Sequence, residues 1–157
     1  MKIELWYIGK TSFPFVQEGM QEFSKRIGRY NPFDEVCIPD VKSSKKNSPN
    51  YIKQEEAKKI ITLLKSDDFL ILLDEKGKAY DSLSFSRQFN KWLMISKKRL
   101  VFLIGGAWGF DSLIYNRANA QVRMSNMTFS HQLIRLIFLE QLYRAFTILN
   151  NEKYHNV

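Results

Sequence analysis

The chain has 157 residues, of which 45% are hydrophobic and 14% aromatic, so one domain with a proper core is expected. Lys and Arg number 24 against 16 for Asp and Glu, a net charge of +8, which favours an acidic partner such as nucleic acid over an acidic metabolite; a merely basic surface is the alternative. Cys37 is the single cysteine, which excludes an internal disulfide and a metal site built on paired cysteines.

The N-terminal part of the chain predicts a strand, a helix and a second strand. Ile3–Ile8 has the alternation and β-branched or aromatic content of a strand and stops at Gly9, whereas Phe15–Ile27 carries apolar residues at helical spacing. Glu35–Ile38 predicts a short apolar strand. The polar tract Lys42–Asn50 has no core-forming residue and predicts a mobile basic loop.

The rest of the chain continues this alternation. Helical spacing predicts helices at Ile52–Leu64, Leu83–Ile95, Asp111–Asn119 and Gln132–Leu149. Strands are predicted at Phe69–Leu73, Leu100–Ile104 and Gln121–Ser125, with a turn at Asp74–Lys78. Repeated βα units with solidly apolar strands predict a single α/β domain over residues 1–157, whose mostly parallel sheet is flanked by helices on both faces.

The opening segment bears on location. Met1–Tyr7 alternates polar and apolar residues, whereas a secretory signal places a charged head before a long apolar segment. No stretch approaches the length of an apolar membrane span. We therefore expect a cytoplasmic protein with no membrane partner.

Three predicted strand ends are candidate ligand-binding segments, because open α/β sheets bind ligands beyond the carboxyl ends of their strands. They are Leu72–Asp74, Ile104–Gly109 and Ser125–Phe129. The glycine turn reads Gly-Gly-x-x-Gly and lacks both the G-x-G-x-x-G of dinucleotide sites and the Gly-Lys-Ser/Thr of a P-loop, which disfavours a phosphate cradle. An ordinary strand-to-helix turn remains the alternative.

His131 and Arg135 are four residues apart and are therefore predicted to point the same way at the start of the final helix. In the functional interpretation they form a polar edge beside a ligand. In the alternative, His131 caps the helix and Arg135 forms a salt bridge with Glu140 or a neighbour.

The tail contains the other polar and aromatic candidates. A segment such as Glu152–Val157 is usually frayed, but Tyr154 and His155 could instead close over a nucleotide by stacking and hydrogen bonding. No cluster with metal-ligand spacing and no catalytic triad is visible, so we expect no metal and a reaction that depends on positioning a reactive cofactor.

Four runs of the sequence are recognisable, namely Leu103–Gly109, Met127–Arg135, Glu140–Phe146 and Tyr154–His155. Together they resemble the ribosomal large-subunit pseudouridine N3-methyltransferase family, and the resemblance extends along the whole chain. This family belongs to the SPOUT methyltransferases, so the resemblance implies an α/β fold with a C-terminal trefoil knot and a homodimer. It also implies methylation of N3 of a pseudouridine in the helix 69 loop of 23S rRNA, on the assembled ribosome.

Site residues follow from the same resemblance, position by position. It places S-adenosylmethionine against Leu73, Gly105, Met124, Ser125, Asn126, Met127, Thr128 and Phe129. The target imide nitrogen must lose a proton, and the side chains that could help to position the base or remove the proton are His155, Tyr154, Arg135 and His131. Two departures are Ser130, where many relatives have proline, and the extension Asn156–Val157.

Other functions stay open at this point. They are another SPOUT methyltransferase acting on transfer RNA or on a ribose 2'-hydroxyl, a non-catalytic RNA-binding module, and an oxidoreductase or nucleotide-binding enzyme of ordinary doubly wound type. Two clusters of positive charge, Lys42, Lys45, Lys46 and Lys97, Lys98, Arg99, predict RNA affinity that falls steeply with salt. The dimer interface is predicted on the apolar side of the final helix, formed by Ile134, Phe138, Leu142, Ala145 and Leu149.

Overall fold

The computed structural model describes residues 1–42 and 47–156. Within them the strands are β1 Lys2–Ile8, β2 Phe33–Ile38, β3 Asp68–Ala79, β4 Arg99–Ile104 and β5 Ala120–Arg123. The helices are α1 Pro14–Ile27, α2 Pro49–Leu63, α3 Ser82–Leu93, α4 Ser112–Arg117 and α5 Leu133–Leu149. Among the residues described, no helix is both long enough and apolar enough to cross a bilayer.

The strands form one parallel sheet in the order β2-β1-β4-β3-β5. The predicted α/β class, with a parallel sheet between helices, is confirmed. Because every strand runs the same way, all carboxyl ends meet at one edge of the sheet, and the segments that follow β3, β4 and β5 lie there. Threading of the C-terminal segment into a knot stays a prediction.

Each face of the sheet has its own hydrophobic core. Alternate residues of β1 show the division: Leu5 packs with α1, α3 and α5, whereas Trp6 packs on the side of α2 and α4. Both side chains are buried because the strands are covered on two faces, which explains their nearly unbroken apolar runs.

The apolar side of α5 is buried inside the protomer. Phe138 and Leu142 are 0% exposed and Ala145 is 1% exposed, because α5 packs against α1 and α3 over the sheet. Ile134 and Leu149 pack against the same core. The prediction that this side of the helix forms a dimer interface is therefore wrong, since the sheet and the two neighbouring helices already cover it.

The predicted turn at Asp74–Lys78 is wrong, because β3 continues to Ala79. Its pairing with β5 shifts register between Leu73 and Lys78, so the charged residues form an irregularity inside a longer strand. The close approach of the two strands here requires glycine at residue 77, because a Cβ there would lie only 2.6 Å from the backbone nitrogen of Val122.

The predicted basic loop Lys42–Asn50 is wrong at its carboxyl end, where Pro49 and Asn50 belong to α2. Residues 43–46, which include Lys45 and Lys46, lie outside the described part of the chain. The Ser48 hydroxyl accepts a hydrogen bond from the Tyr51 amide at 3.1 Å, and Pro49 begins α2. A serine cap followed by proline starts the helix inside the tract that was predicted to be a loop.

Part of the second basic cluster takes part in structural ion pairs at the amino edge of the sheet. The Arg99 guanidinium contacts Asp68 at 2.5 Å and Glu4 at 3.2 Å, and Lys97 lies 3.5 Å from Asp67. The charge of Arg99 is therefore already balanced by two carboxylates. The expectation that the cluster binds RNA phosphates does not hold for Arg99.

Candidate active site

A pocket of about 820 Å³ opens at the carboxyl edge of the sheet, which is within the usual size range of small-ligand sites. Three segments line it, Leu73–Lys76 from β3, Ile104–Phe110 after β4 and Arg123–His131 from the end of β5. The structure thus brings together the three strand ends selected from the sequence. It also places all the expected cofactor residues in one cavity, namely Leu73, Gly105, Met124, Ser125, Asn126, Met127, Thr128 and Phe129.

The glycine segment after β4 forms a closed turn. The Gly109 amide donates to the Gly106 carbonyl at 3.2 Å, and Gly109 has φ of +80°, a conformation that favours glycine. The turn therefore holds Ala107 and Trp108 at its tip, where Trp108 is 55% exposed. Gly105 does not have a positive φ; a Cβ there would lie 3.1 Å from the Phe110 ring.

A buried carboxyl lies beside this turn. Glu56 of α2 is 6% exposed, and a Cβ on Gly106 would come within 2.7 Å of its Oε1. Burial raises the pKa of Glu56 from its ordinary value of 4.5 to about 7, with Lys59 opposing the shift and Asp40 adding to it. Glu56 was missed from the sequence, although it sits four residues from both Ile52 and Ile60 on the apolar side of its helix.

Tyr115 stabilises the wall of the pocket that β3 forms. The Tyr115 hydroxyl donates to Asp74 Oδ2 at 2.9 Å, and burial together with this bond raises the pKa of Tyr115 to about 12. The Lys76 ammonium lies 5.3 Å from the centre of the Tyr115 ring. These contacts keep the irregular part of β3 beside the cavity.

Arg123 is a pocket residue that sequence reasoning missed. It ends β5 at the carboxyl edge, and its Nε is buried without a hydrogen-bond partner among the described residues. A buried guanidinium nitrogen without a partner is unfavourable unless a ligand satisfies it. The sequence could have indicated this role, because Arg123 is a charged residue at the end of a strand, and the carboxyl ends of parallel strands are where ligands bind.

Arg135 lies away from the pocket. Its side chain is 1% exposed and donates to the carbonyls of Ile8 at 2.7 Å and Gly9 at 2.9 Å, and to Thr11 Oγ1 at 2.9 Å. Burial lowers the pKa of Arg135, but each of its three nitrogens donates to an oxygen of the protein, with Nε bonded to the His131 carbonyl at 3.0 Å. The guanidinium therefore connects α5 to the end of β1 by hydrogen bonds.

The predicted polar edge of His131 and Arg135 is not formed. His131 precedes the first residue of α5 and lines the pocket, so the four-residue rule does not align it with Arg135. The alternative interpretation of the pair is also wrong. Arg144, and not Arg135, forms the ion pair with Glu140, at 2.5 Å, and the hydroxyl that accepts from the Leu133 amide, at 3.1 Å, is that of Ser130.

The tail is packed along α5. The Tyr154 hydroxyl donates to Glu140 Oε1 at 2.9 Å, and the Tyr154 ring lies edge-on against Tyr143 with 4.7 Å between ring centres. Arg144 Nη1 lies 3.0 Å from His155 Nδ1. A frayed tail is therefore not observed. Because guanidinium can only donate, Nδ1 accepts, and a neutral His155 carries its proton on Nε2.

Within one chain the tail and the pocket are separate. Ile134 lines the pocket, whereas Arg144, which holds the tail, comes ten residues later on α5. That separation is about 15 Å along a helix axis. Neither Tyr154 nor His155 is among the described residues that line the cavity.

Comparisons with known proteins give matches over nearly the whole chain. Residues 1–155 match the family model described as "Predicted SPOUT methyltransferase". The chain is 47% identical over 156 residues to the ribosomal RNA large subunit methyltransferase H of Parabacteroides distasonis, with 99% of both chains covered. It is 46% identical to the proteins of the same name from Cytophaga hutchinsonii and Flavobacterium johnsoniae, covering 99% of this chain and 100% and 99% of theirs. The chain belongs to the SPOUT methyltransferase family.

Proposed function

We propose that the protein uses S-adenosylmethionine to methylate N3 of a pseudouridine in the helix 69 loop of 23S rRNA, on the assembled ribosome. Relatives named ribosomal RNA large subunit methyltransferase H, at 40 to 47% identity over 156 residues, support this proposal. The observation that carries it is the meeting of three separate strand ends in one cavity of ligand size. A cytoplasmic location follows from a ribosomal substrate.

The residues present fit the proposed cofactor. Leu73, Ile104 and Ile134 give the cavity apolar walls, and the segment Met124–Phe129 runs past them with main-chain groups available to an adenine. Arg123 Nε needs a hydrogen-bond acceptor that the described protein residues do not provide. When bound, S-adenosylmethionine supplies an electrophilic methyl group for in-line attack by a ring nitrogen.

Removal of the imide proton is the chemical problem for this chain. Loss of the N3 proton leaves negative charge on the two neighbouring carbonyl oxygens of the ring, so a cation beside them favours the reactive form. Arg123 is the guanidinium that lies in the pocket, whereas Arg135 donates to the carbonyls of Ile8 and Gly9 and to the Thr11 hydroxyl. We assign charge stabilisation to Arg123 and proton acceptance to His131, which also lines the cavity.

The tail completes the site from a second protomer in this proposal. Tyr154 and His155 lie away from their own pocket, so a homodimer would bring the tail of one protomer to the cavity of the other. His155 with its proton on Nε2 would donate a hydrogen bond to the target and would not act as the base. The exposed, stacked pair Phe13 and Phe15, 47% and 63% exposed with 5.7 Å between ring centres, gives the dimer an apolar contact surface.

Nucleoside mass spectrometry tests the function. Ribosomes that lack the modification, incubated with the protein and S-adenosylmethionine, should gain one methyl group at N3 of the helix 69 pseudouridine. A methyl group on a ribose hydroxyl or on transfer RNA would instead support another SPOUT activity. Absence of cofactor binding in calorimetry, with RNA binding retained, would support a non-catalytic RNA-binding module.

A further inference from the structure

Trp108 is an exposed aromatic side chain at the mouth of the pocket. The chain has three tryptophans, all in the described residues; Trp6 and Trp92 are 1% and 4% exposed, whereas Trp108 is 55% exposed. An indole is among the largest apolar surfaces that a residue can offer to a partner. Its exposure beside a ligand cavity therefore calls for a partner at that place.

The turn that carries Trp108 holds it in this position. The Gly109 amide closes the turn onto the Gly106 carbonyl, and the two residues form an antiparallel bridge. Phe110, directly after the turn, is 6% exposed and packs in the core. Because the turn is closed and anchored, the main chain that carries the indole has little conformational freedom left to lose on binding.

The surroundings of Trp108 have the chemistry of a nucleobase site. Met127, which lines the same pocket, is 78% exposed and adds a second apolar contact. Three cations, Lys53, Lys76 and Arg123, line the cavity as well. Aromatic faces next to cations are the combination by which proteins bind unpaired bases and the phosphates that connect them.

We propose that Trp108 stacks on an unpaired nucleobase of the RNA substrate at the mouth of the pocket. The inference rests on the proposed function, because it assumes an RNA substrate at this site. The base belongs to the RNA and not to the cofactor. The reason is the position of Trp108. Gly105 is half-buried and Phe110 is buried, and both lie in the interior of the pocket, whereas Trp108 is exposed at the outer tip of the turn.

Kinetics on unmodified ribosomes test the proposal. Trp108→Ala should raise KM about tenfold or more, as expected for loss of one base–aromatic stack, and Trp108→Tyr should restore most of the affinity. The affinity for S-adenosylmethionine, measured by calorimetry, should stay unchanged in both variants. Met94→Ala is the matched control, since Met94 is 79% exposed and follows α3 at the opposite edge of the sheet.

Intrinsic fluorescence gives a readout that needs no turnover. A single-stranded RNA with the helix 69 loop sequence should quench the emission of the wild-type protein, since Trp108 is its exposed indole, and Trp108→Phe should abolish this quenching. S-adenosylmethionine alone should quench little.

Three results would overturn the proposal. An unchanged KM in Trp108→Ala would exclude stacking. If Trp108→Ala also lost affinity for S-adenosylmethionine, Trp108 would contact the adenine of the cofactor. If the substitution changed the oligomeric state in light scattering, Trp108 would contact a second protomer. Failure of the proposed function is a different result, in which the wild-type protein methylates no ribosomes. In that case quenching of Trp108 fluorescence by RNA still tests the stacking.

Discussion

Arg135 Nη2 donates to the carbonyl of Ile8 at 2.7 Å, across 127 residues of sequence. The same guanidinium also donates to the Gly9 carbonyl and lies 4.3 Å from the centre of the Tyr7 ring. These contacts join the first turn of α5 to the carboxyl end of β1. Since the pocket segment Met124–Phe129 lies shortly before α5 in the chain, Arg135 positions the pocket without lining it.

Arg135→Met should therefore act on stability. The substitution leaves the buried carbonyls of Ile8 and Gly9 without donors, which should cost about 3 kcal/mol or more of unfolding free energy. Urea unfolding measures this cost. Arg26→Gln is the control, because Arg26 pairs with Glu22 on the surface and its loss should cost less than about 1 kcal/mol. Normal stability with lost turnover would instead assign Arg135 to the substrate.

Glu56 predicts a stability that depends on pH. Its pKa is raised to about 7 in the folded protein, so between the ordinary value of a glutamate and 7 the folded state holds a proton that the unfolded state has lost. Stability therefore falls as pH rises through this window, by on the order of 3 kcal/mol for the full shift. Glu56→Gln should remove this dependence and raise the melting temperature at pH 8 by about 5 °C or more.

Thermal unfolding of both proteins at pH 5 and pH 8 checks the role of Glu56. The difference between the variant and the wild type should be small at pH 5 and large at pH 8. Parallel melting curves at all pH values would show that Glu56 is ionised without cost beside Gly106.

Gly105→Val should abolish cofactor binding while the protein remains folded. The mechanism is contact with Phe110, because a Cβ at residue 105 would already lie 3.1 Å from that ring; backbone strain is not involved, since Gly105 has no positive φ. Gly28→Ala is the control, since a Cβ there would be 3.4 Å from the nearest atom. Calorimetry with S-adenosylmethionine should give no heat for the first variant and wild-type affinity for the second.

Removal of the tail from Tyr154 onwards should lower turnover on ribosomes and leave cofactor affinity nearly unchanged. The reason is that Tyr154 and His155 contact Glu140 and Arg144 and do not line the described pocket. Mixing the truncated protein with full-length Gly105→Val should restore part of the activity, if the tail acts across a homodimer. No recovery from mixed dimers would place the tail at its own pocket.

Lysines at the pocket should contribute to RNA binding more than those at the opposite edge. Lys53→Gln and Lys76→Gln should each weaken ribosome binding and reduce the salt slope of log affinity by about 1, because these side chains line the cavity. Lys97→Gln is the control, since Lys97 contacts Asp67 at the amino edge. Filter binding at several salt concentrations measures the slopes. Equal slopes in all proteins would place the phosphate contacts elsewhere.

Periodicity and apolar run length were sufficient for the architecture. The apolar run Leu100–Ile104 predicted a strand covered on both faces, and the spacing in Phe15–Ile27 predicted a helix that buries one side; the structure confirms both as β4 and α1. Parallel order follows from alternating strands and helices, and it brings Leu73, Gly105 and the segment after β5 to one edge. The pocket was therefore predictable, because a helix between two strands returns the chain to the edge where it started, so that successive strands run parallel.

Tertiary structure alone decided the partners of the polar groups. Asp74–Lys78 has the composition of a turn, yet pairing with β5 keeps it in a strand. Arg135 finds main-chain carbonyls at the end of β1, and the tail finds α5, because these contacts join parts of the chain that no local pattern relates. Burial, which sets the pKa of Glu56 and leaves Arg123 Nε without a partner among the described residues, likewise exists only once the elements have packed together.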